Sequence, residues 1–328
     1  MSKKLRINII LGLLCLYVIW GSTYLAIRFG VETIPPFILA GFRFLIGGAL
    51  FYIWAKINHA PNPENKHWLT AFIVGALLVV GGNGLVNWSE KFLPSGIAAL
   101  LVAMMPFFLV LFDWLRPHGT RPGWIVSAGL ILGFGGVVLL INPTQVDGVA
   151  GINKFGAGLV LAATILWAIG SLYSRQAKQP ESHSLFAGMQ MMAGGAVALF
   201  VASLLGEFND FDITKLTPLS FWSWVYLTLF GSFAFGVYLW LLKATTPAKV
   251  ATYAYVNPVI AMFLGSLLAG EELSGWTLGC SSVIILAVVI IITARSREQK
   301  NGLQAEAKSE VKKELVAPGS AGAVCECD

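Results

Sequence analysis

Ten stretches of about 20 predominantly apolar residues succeed one another along this chain, and a helix of that length crosses the roughly 30 Å hydrocarbon core of a bilayer. The first five run over Ile7–Phe29, Pro36–Ile57, Trp68–Trp88, Ser95–Leu115 and Trp124–Ile141. The second five cover Phe155–Tyr173, Leu185–Leu205, Leu219–Leu242, Val250–Ala269 and Trp276–Ala294. The connectors are too short to fold as separate domains. Only 12% of the residues are charged and 56% are hydrophobic, against the ~25% charge of a soluble domain, so lipid is the solvent this chain is built for. The expected fold is an all-α polytopic membrane protein of ten transmembrane helices.

Lys3, Lys4 and Arg6 precede the first block, which is longer than a signal-peptide core and lacks a small-x-small cleavage site, so it is predicted to be a membrane helix. From Arg295 onward Lys, Glu and Ala predominate without an apolar stripe, which predicts a solvated tail, frayed or partly helical. Alternating ten helices from a cytoplasmic N-terminus places eleven basic residues on the cytoplasmic side before the tail and four outside. That bias predicts both termini in the cytoplasm. It also accounts for the net charge of +5 without a nucleic-acid partner.

A shift of 152 residues pairs Leu77 with Leu229, Gly84 with Gly236, Trp88 with Trp240, Lys91 with Lys243 and Ala99 with Ala251. It also pairs Pro106 with Pro258, Leu115 with Leu267, Gly123 with Gly275 and Trp124 with Trp276. Trp20 and Arg28 match Trp167 and Arg175 at a slightly different shift. Shared apolar composition would match Leu and Val rather than Gly, Pro and Trp. The pattern predicts a five-helix repeat over residues 1–145 and a second over 146–295, followed by a charged cytoplasmic tail over 296–328. An odd number of helices per repeat turns the copies upside down, as in secondary transporters whose halves exchange conformations.

Trp20-Gly21-Ser22-Thr23-Tyr24, Gly41-Phe42-Arg43-Phe44, Gly82-Asn83-Gly84 and Pro94-Ser95-Gly96-Ile97-Ala98-Ala99 stand in the first half. Tyr253-Ala254-Tyr255-Val256-Asn257-Pro258-Val259 and Gly270-Glu271-Glu272 stand in the second. In order and spacing these segments resemble the EamA-type transporters of the drug/metabolite transporter superfamily, and Gly82-Asn83-Gly84 resembles its YedA-like branch. The resemblance covers about residues 8 to 295. It implies efflux of small metabolites, such as amino acids or related compounds, across a bacterial inner membrane, and it leaves the solute open.

Polar groups inside a bilayer are costly unless they face a partner or a cavity. Tyr17, Trp20, Tyr24 and Arg28 fall on one face of the first helix, with Ser22 beside them in the sequence. Asn83, Asn87 and Glu90 share a face of the third helix, Trp167 and Ser171 of the sixth, and Tyr253 and Asn257 of the ninth. These residues and Arg43 are the candidate solute path. Trp20 and Trp167 have two readings, cavity lining and packing, whereas Trp68, Trp88, Trp124 and Trp276 are expected at the membrane interfaces. Pro106 and Pro258 are expected to interrupt the fourth and ninth helices at matching positions and to flank the path. Arg43 has three readings: a bond to Glu90, direct or through Asn87, in an outer gate, a bond to a solute carboxylate, or snorkelling to a lipid phosphate.

Other chemistries lack their residues. His59, His67, His118 and His183 all fall in connectors. No His-Glu pair, G-x-S-x-G or paired intramembrane aspartate argues for an enzyme, and no G-x-x-x-x-G-K-[ST] argues for ATP. Cys15 and Cys280 read as apolar thiols, and Cys325 and Cys327 are too few for a structural metal site. No cofactor is expected. The expectation is a secondary transporter of a small solute working by alternating access, with a solute-selective channel or facilitator as the alternative. For proton coupling, Glu90 and Asp113 are the candidate carboxylates, both near helix ends.

Overall fold

The computed structural model describes residues 3–116, 121–141 and 152–316; His118, position 150 and the Cys325 and Cys327 pair lie outside them. The described residues form helices and connectors, with nine helical runs long and apolar enough to cross a membrane and a shorter apolar helix, Tyr253–Ala269, as the tenth. The chain is therefore an all-α polytopic membrane protein. The first two spans are α1 (Lys3–Gly30) and α2 (Pro36–Ile57). The third is composite: α3 (Asn65–Gly75) passes through a π-helical segment, Ala76–Gly84, into α4 (Leu85–Ser89). The fourth is broken into α5 (Ser95–Val102) and α6 (Met105–Leu115). Next come α7 (Trp124–Ile141), α8 (Lys154–Gln176) and α9 (His183–Leu204). A short α10 (Glu207–Asp210) and a 3-10 turn lead to α11 (Pro218–Ala244). The ninth span is α12 (Pro247–Val250) and α13 (Tyr253–Ala269), and the tenth is α14 (Gly275–Val316).

Local chemistry sets many of these ends. The side chains of Asn153, Ser182 and Thr217 accept from Gly156, Leu185 and Ser220 backbone N–H groups and so cap α8, α9 and α11. Gly270, with φ of 63°, ends α13 in the left-handed conformation that glycine adopts without penalty. One sequence expectation is corrected. The prolines do not break their helices at matching positions. The fourth span breaks at Ala103 and Met104, with Pro106 in the first turn of α6, where a missing N–H costs little. The ninth breaks at Ala251 and Thr252, and Pro258 lies within the continuous α13. α14 runs through Arg295 without interruption, 42 residues in all, so the tail is helical as far as Val316.

Small residues govern the packing. α2 and α9 run antiparallel with their backbones almost touching. A Cβ on Gly48 would lie 2.6 Å from Met192 N, and one on Gly188 would lie 2.6 Å from Tyr52 N and 2.9 Å from the Gly48 carbonyl oxygen. Gly41 and Gly195 meet in the same way one turn pair further along. Gly41 precedes Gly188, and Gly48 precedes Gly195, by the same 147 residues. Each glycine thus touches the counterpart of the other, the reciprocity of a two-fold contact. Numbering the ten spans in chain order, the second packs on the seventh and the fifth on the tenth. The contact of the first with the eighth is matched by that of the sixth with the third. The contact of the first with the ninth is matched by that of the sixth with the fourth.

A core centred on Leu100, Leu101, Met104 and Phe107 joins α5 and α6 to α7, α8 and α14. On α7, Gly129, Gly133 and Gly136 face Ile291, Phe107 and Ile284, so these helices approach closely. Large apolar side chains such as Leu11, Val18, Ile131 and Phe263 point outward, as a bilayer solvent requires. Trp124 is 81% exposed at the start of α7. Trp88 instead packs between Phe37 and Phe155, with ring centroids 6.2 and 5.8 Å away.

Candidate functional site

The candidate path residues form two groups at different depths along the bundle. The first is aromatic. Trp20 on α1 sits edge-on to Tyr253 on α13 at 4.9 Å and tilted against Tyr238 on α11 at 5.3 Å. Tyr238 and Tyr253 meet edge-on at 6.1 Å. Arrangements of this kind suit the quadrupoles of the rings. One turn away the Tyr17 hydroxyl hydrogen-bonds to Thr252 Oγ1 at the break of the ninth span. Tyr17, Trp20, Tyr253 and Ser171 are all half-buried although they belong to inward-packed helices. Tyr24, one turn beyond Trp20, packs against the core of α5, α6 and α8.

Trp167 on α8 lies over the π-helical segment, where a Cβ on Gly82 would be 3.1 Å from its ring. The Gly81, Gly82 and Gly84 backbone lets α8 and α2 approach, with Leu166 against Gly81 and Phe37 against Gly84. Asn83 donates its amide to the Leu78 carbonyl five residues back, at 3.1 Å, which supports the wide turn. Short π segments recur at functional positions in helices. Ser22 faces elsewhere. Two residues from Trp20, and so about 200° around the helix, its hydroxyl meets the Tyr226 hydroxyl at 2.7 Å and lines a lateral groove between α1 and α11.

The second group is polar and lies at the end of the bundle formed by Gly30, Pro36, Ser89 and Ser95. Glu90 is fully buried, and neither carboxylate oxygen has a hydrogen-bond partner. Arg28 donates Nη1–H to the Glu90 backbone carbonyl at 2.9 Å, not to its side chain. Asn87, equally buried, donates to the Pro36 carbonyl at 3.2 Å and leaves Oδ1 unmatched. Arg43 is buried against the Phe44 ring and beside Gly231, with Nη1 unpartnered. Arg43 and Glu90 therefore form no ion pair here, and Asn87 does not bridge them. Asn257 is buried on α13 with Oδ1 unmatched.

Two carboxylates that sequence reasoning did not single out tie this end together. Glu207 accepts from the Phe37 and Ile38 N–H groups at 3.0 Å each, and Glu271 from the Ser95 and Gly96 N–H groups at 2.7 and 3.3 Å. Each satisfies the first donors of a helix far away in sequence. Burial raises the Glu207 carboxyl above its ordinary range, against the pull of those two N–H groups. Beside Glu271 lies a cavity of about 240 Å³ bounded by Arg28, Glu32, Lys91, Leu93 and Ala269. Leu93, Ile97 and Phe37 are almost fully buried there, so this end is more tightly packed than the region of Trp20 and Tyr253, which are half-buried.

Tyr238 was also missed, because its repeat counterpart is Val86 and the symmetry gave no signal; a tyrosine in mid-helix was the available clue. Glu271 was visible within Gly270-Glu271-Glu272, but not its role as a cap.

Comparison with known proteins places this architecture. The model of the EamA-like transporter family matches residues 7–142 and again residues 154–293. The chain is 39% identical to the inner membrane transporter YedA of Escherichia coli over 284 residues, covering 85% of this chain and 89% of that protein. It is 27% identical to the transporter YoaV of Bacillus subtilis, covering 82% of this chain and 91% of that one. A solved crystal structure shares the fold with a TM-score of 0.57 at 20% identity, over 88% of this chain and 98% of that chain. With nine membrane-length helical runs and a shorter tenth among the described residues, and two matches to one family model, this chain belongs to the EamA-like transporter family, in its YedA-like branch.

Proposed function

We propose that this protein is a secondary carrier that exports small amphipathic metabolites, amino acids or close relatives, across a bacterial inner membrane by alternating access between two inverted five-helix halves. The observation that carries this reading is the reciprocal glycine contact between α2 and α9, together with the matching of the first span's contacts with the eighth and ninth by the sixth span's contacts with the third and fourth. A molecule with such a pseudo-two-fold has two conformations of similar energy, one the mirror of the other in the exchange of its halves. On this reading the tightly packed Glu90 end is the sealed one and the end of the half-buried Trp20 and Tyr253 is the one that opens. The inner-membrane placement rests on the name of the Escherichia coli relative and on the ten apolar helices.

The solute would sit between these ends, with Trp20, Tyr24, Trp167, Tyr238 and Tyr253 offering apolar faces and hydroxyls to its body, and Asn83 and Asn257 offering amides. Membrane lipid surrounds the bundle, and the chain needs no ATP. The direct test is counterflow. Purified protein in proteoliposomes preloaded with unlabelled amino acids should take up the labelled ones saturably and faster than protein-free vesicles. Non-saturable flux that ignores the internal solute would favour a channel and sink the carrier reading.

A further inference from the structure

The unpaired carboxylate at the sealed end has a chemical consequence. An ionised carboxylate taken out of water with no donor on either oxygen is among the least favourable things a protein can bury, and it ordinarily takes up a proton instead. Glu90 is in that situation: it is 0% exposed and both oxygens lack a hydrogen-bond partner. The groups facing it are Tyr24 and Arg28 from α1, Arg43 from α2, and Glu271 from the connector after α13. Arg28 spends its donor on a backbone oxygen, and Glu271 adds negative charge while capping α5. Arg43 faces Glu90 with its Nη1 free but stands outside ion-pair distance. Asp113 differs at every point: it pairs with Arg116, and with Arg295 at 3.8 Å. Near Glu90 lies the cavity bounded by Arg28, Glu32, Lys91 and Glu271, two of whose walls, Arg28 and Glu271, also face Glu90.

We propose that Glu90 holds a proton in this sealed conformation and releases it when its end of the bundle opens, so that transport of the solute is coupled to movement of a proton. The inference rests on the carrier reading given above. On opening, the O–H bond of the Glu90 carboxyl breaks, the electron pair stays on oxygen and the proton passes to water entering the cavity. Arg43, already buried alongside with an unused donor, then meets the carboxylate charge. Resealing with the carboxylate ionised would bury it near Arg28 and Arg43 with neither of them hydrogen-bonded to it, so closure favours the protonated form and the conformational and protonation cycles are linked.

Difference infrared spectroscopy of the full-length protein in lipid tests the proton directly. The wild type should show the carbonyl stretch of a protonated carboxyl near neutral pH. Glu90→Gln should lack that band, and Asp113→Asn should keep it. A wild type without the band, or its persistence in Glu90→Gln, overturns the proposal. Arg43→Gln should keep the band to a pH at least one unit higher than wild type, while Arg43→Lys restores the wild-type midpoint; no shift in Arg43→Gln would overturn the role of Arg43 as counter-charge. In proteoliposomes, an imposed gradient of two pH units should drive roughly tenfold or greater accumulation of a labelled amino acid that shows counterflow. Counterflow without such accumulation overturns the coupling and leaves the carrier reading standing. Absence of counterflow across the twenty amino acids overturns the carrier reading, while the infrared band still decides the protonation of Glu90.

Discussion

A carboxylate placed against the first N–H groups of a helix meets orphan donors and the positive end of the helix dipole at once. Glu207 does this for α2 and Glu271 for α5, so each holds a helix start without a local capping side chain. Truncation of such a cap ordinarily costs about 0.5–2 kcal/mol. Glu207→Ala should accordingly lower the melting temperature of the detergent-solubilised protein, and Glu207→Gln should lower it less. Because burial raises the folded carboxyl, ionising it costs more in the folded than in the unfolded state. The stability of wild type relative to Glu207→Gln should therefore fall as pH rises from the ordinary glutamate range to the raised folded value, and then level off; melting curves in a pH series would reveal a flat or opposite trend. For the aromatic group, replacing Trp20, Tyr24, Trp167 or Tyr253 by Ala should reduce counterflow at least several-fold while leaving membrane expression near wild type. Misassembly of all four variants would instead assign these rings to packing. At this scale the sequence revealed which side chains were out of place in lipid, such as Arg43 and Glu90, because their cost is a property of residue type and depth. It did not reveal their partners. Whether Arg43 reaches Glu90 depends on the packing of α2 against α4 and α11, and no spacing along the chain encodes that.

Among the elements, the closest approach is between α2 and α9, where backbone rather than side chain makes the contact. Gly48→Leu and Gly188→Leu each insert a side chain where even a Cβ lies 2.6 Å from a neighbouring backbone nitrogen. Either should abolish monodisperse, folded protein in size-exclusion chromatography. Gly135→Ala and Gly158→Ala, whose Cβ would meet nothing within 4 Å, should behave as wild type; equal damage from both pairs would show that glycine matters here for reasons other than contact. The ten spans were legible because a run of apolar residues is a one-dimensional signal with a fixed minimum length. Breaks inside spans were less so. Pro106 marked the interruption of the fourth span to within three residues, since proline is tolerated just after a helix restarts. Pro258 misled, because the ninth span is broken by Ala251 and Thr252, two residues with no special backbone preference. The π-helical stretch around Gly81 and Gly82 gave only its glycines as a hint.

For the molecule as a whole, orientation in the membrane follows from charge in the connectors. Single cysteines introduced at positions 150 and 210 should react with an impermeant maleimide added outside intact cells, and those at 118 and in the tail should react only after permeabilisation. Labelling at 118 from outside would reverse the topology and remove the basis of the inverted halves. The proposed repeat draws its sequence signal at this scale, because symmetry would copy Gly, Pro and Trp to matching places. The reciprocal contact of Gly41 with Gly195 and of Gly48 with Gly188 is the three-dimensional form of that copying. Among the described residues, α14 continues well past Arg295. At 1.5 Å per residue its 42 residues span about 63 Å, roughly twice the hydrocarbon thickness, and no break separates the intramembrane part from the rest. If the halves rock as proposed, a continuous rod anchored in one of them is a lever arm. A tilt of about 10° at its root would sweep the far end through about 11 Å for a rod of that length, turning a slight rocking of the bundle into a displacement large enough for an aqueous partner, or a fluorophore at its tip, to register.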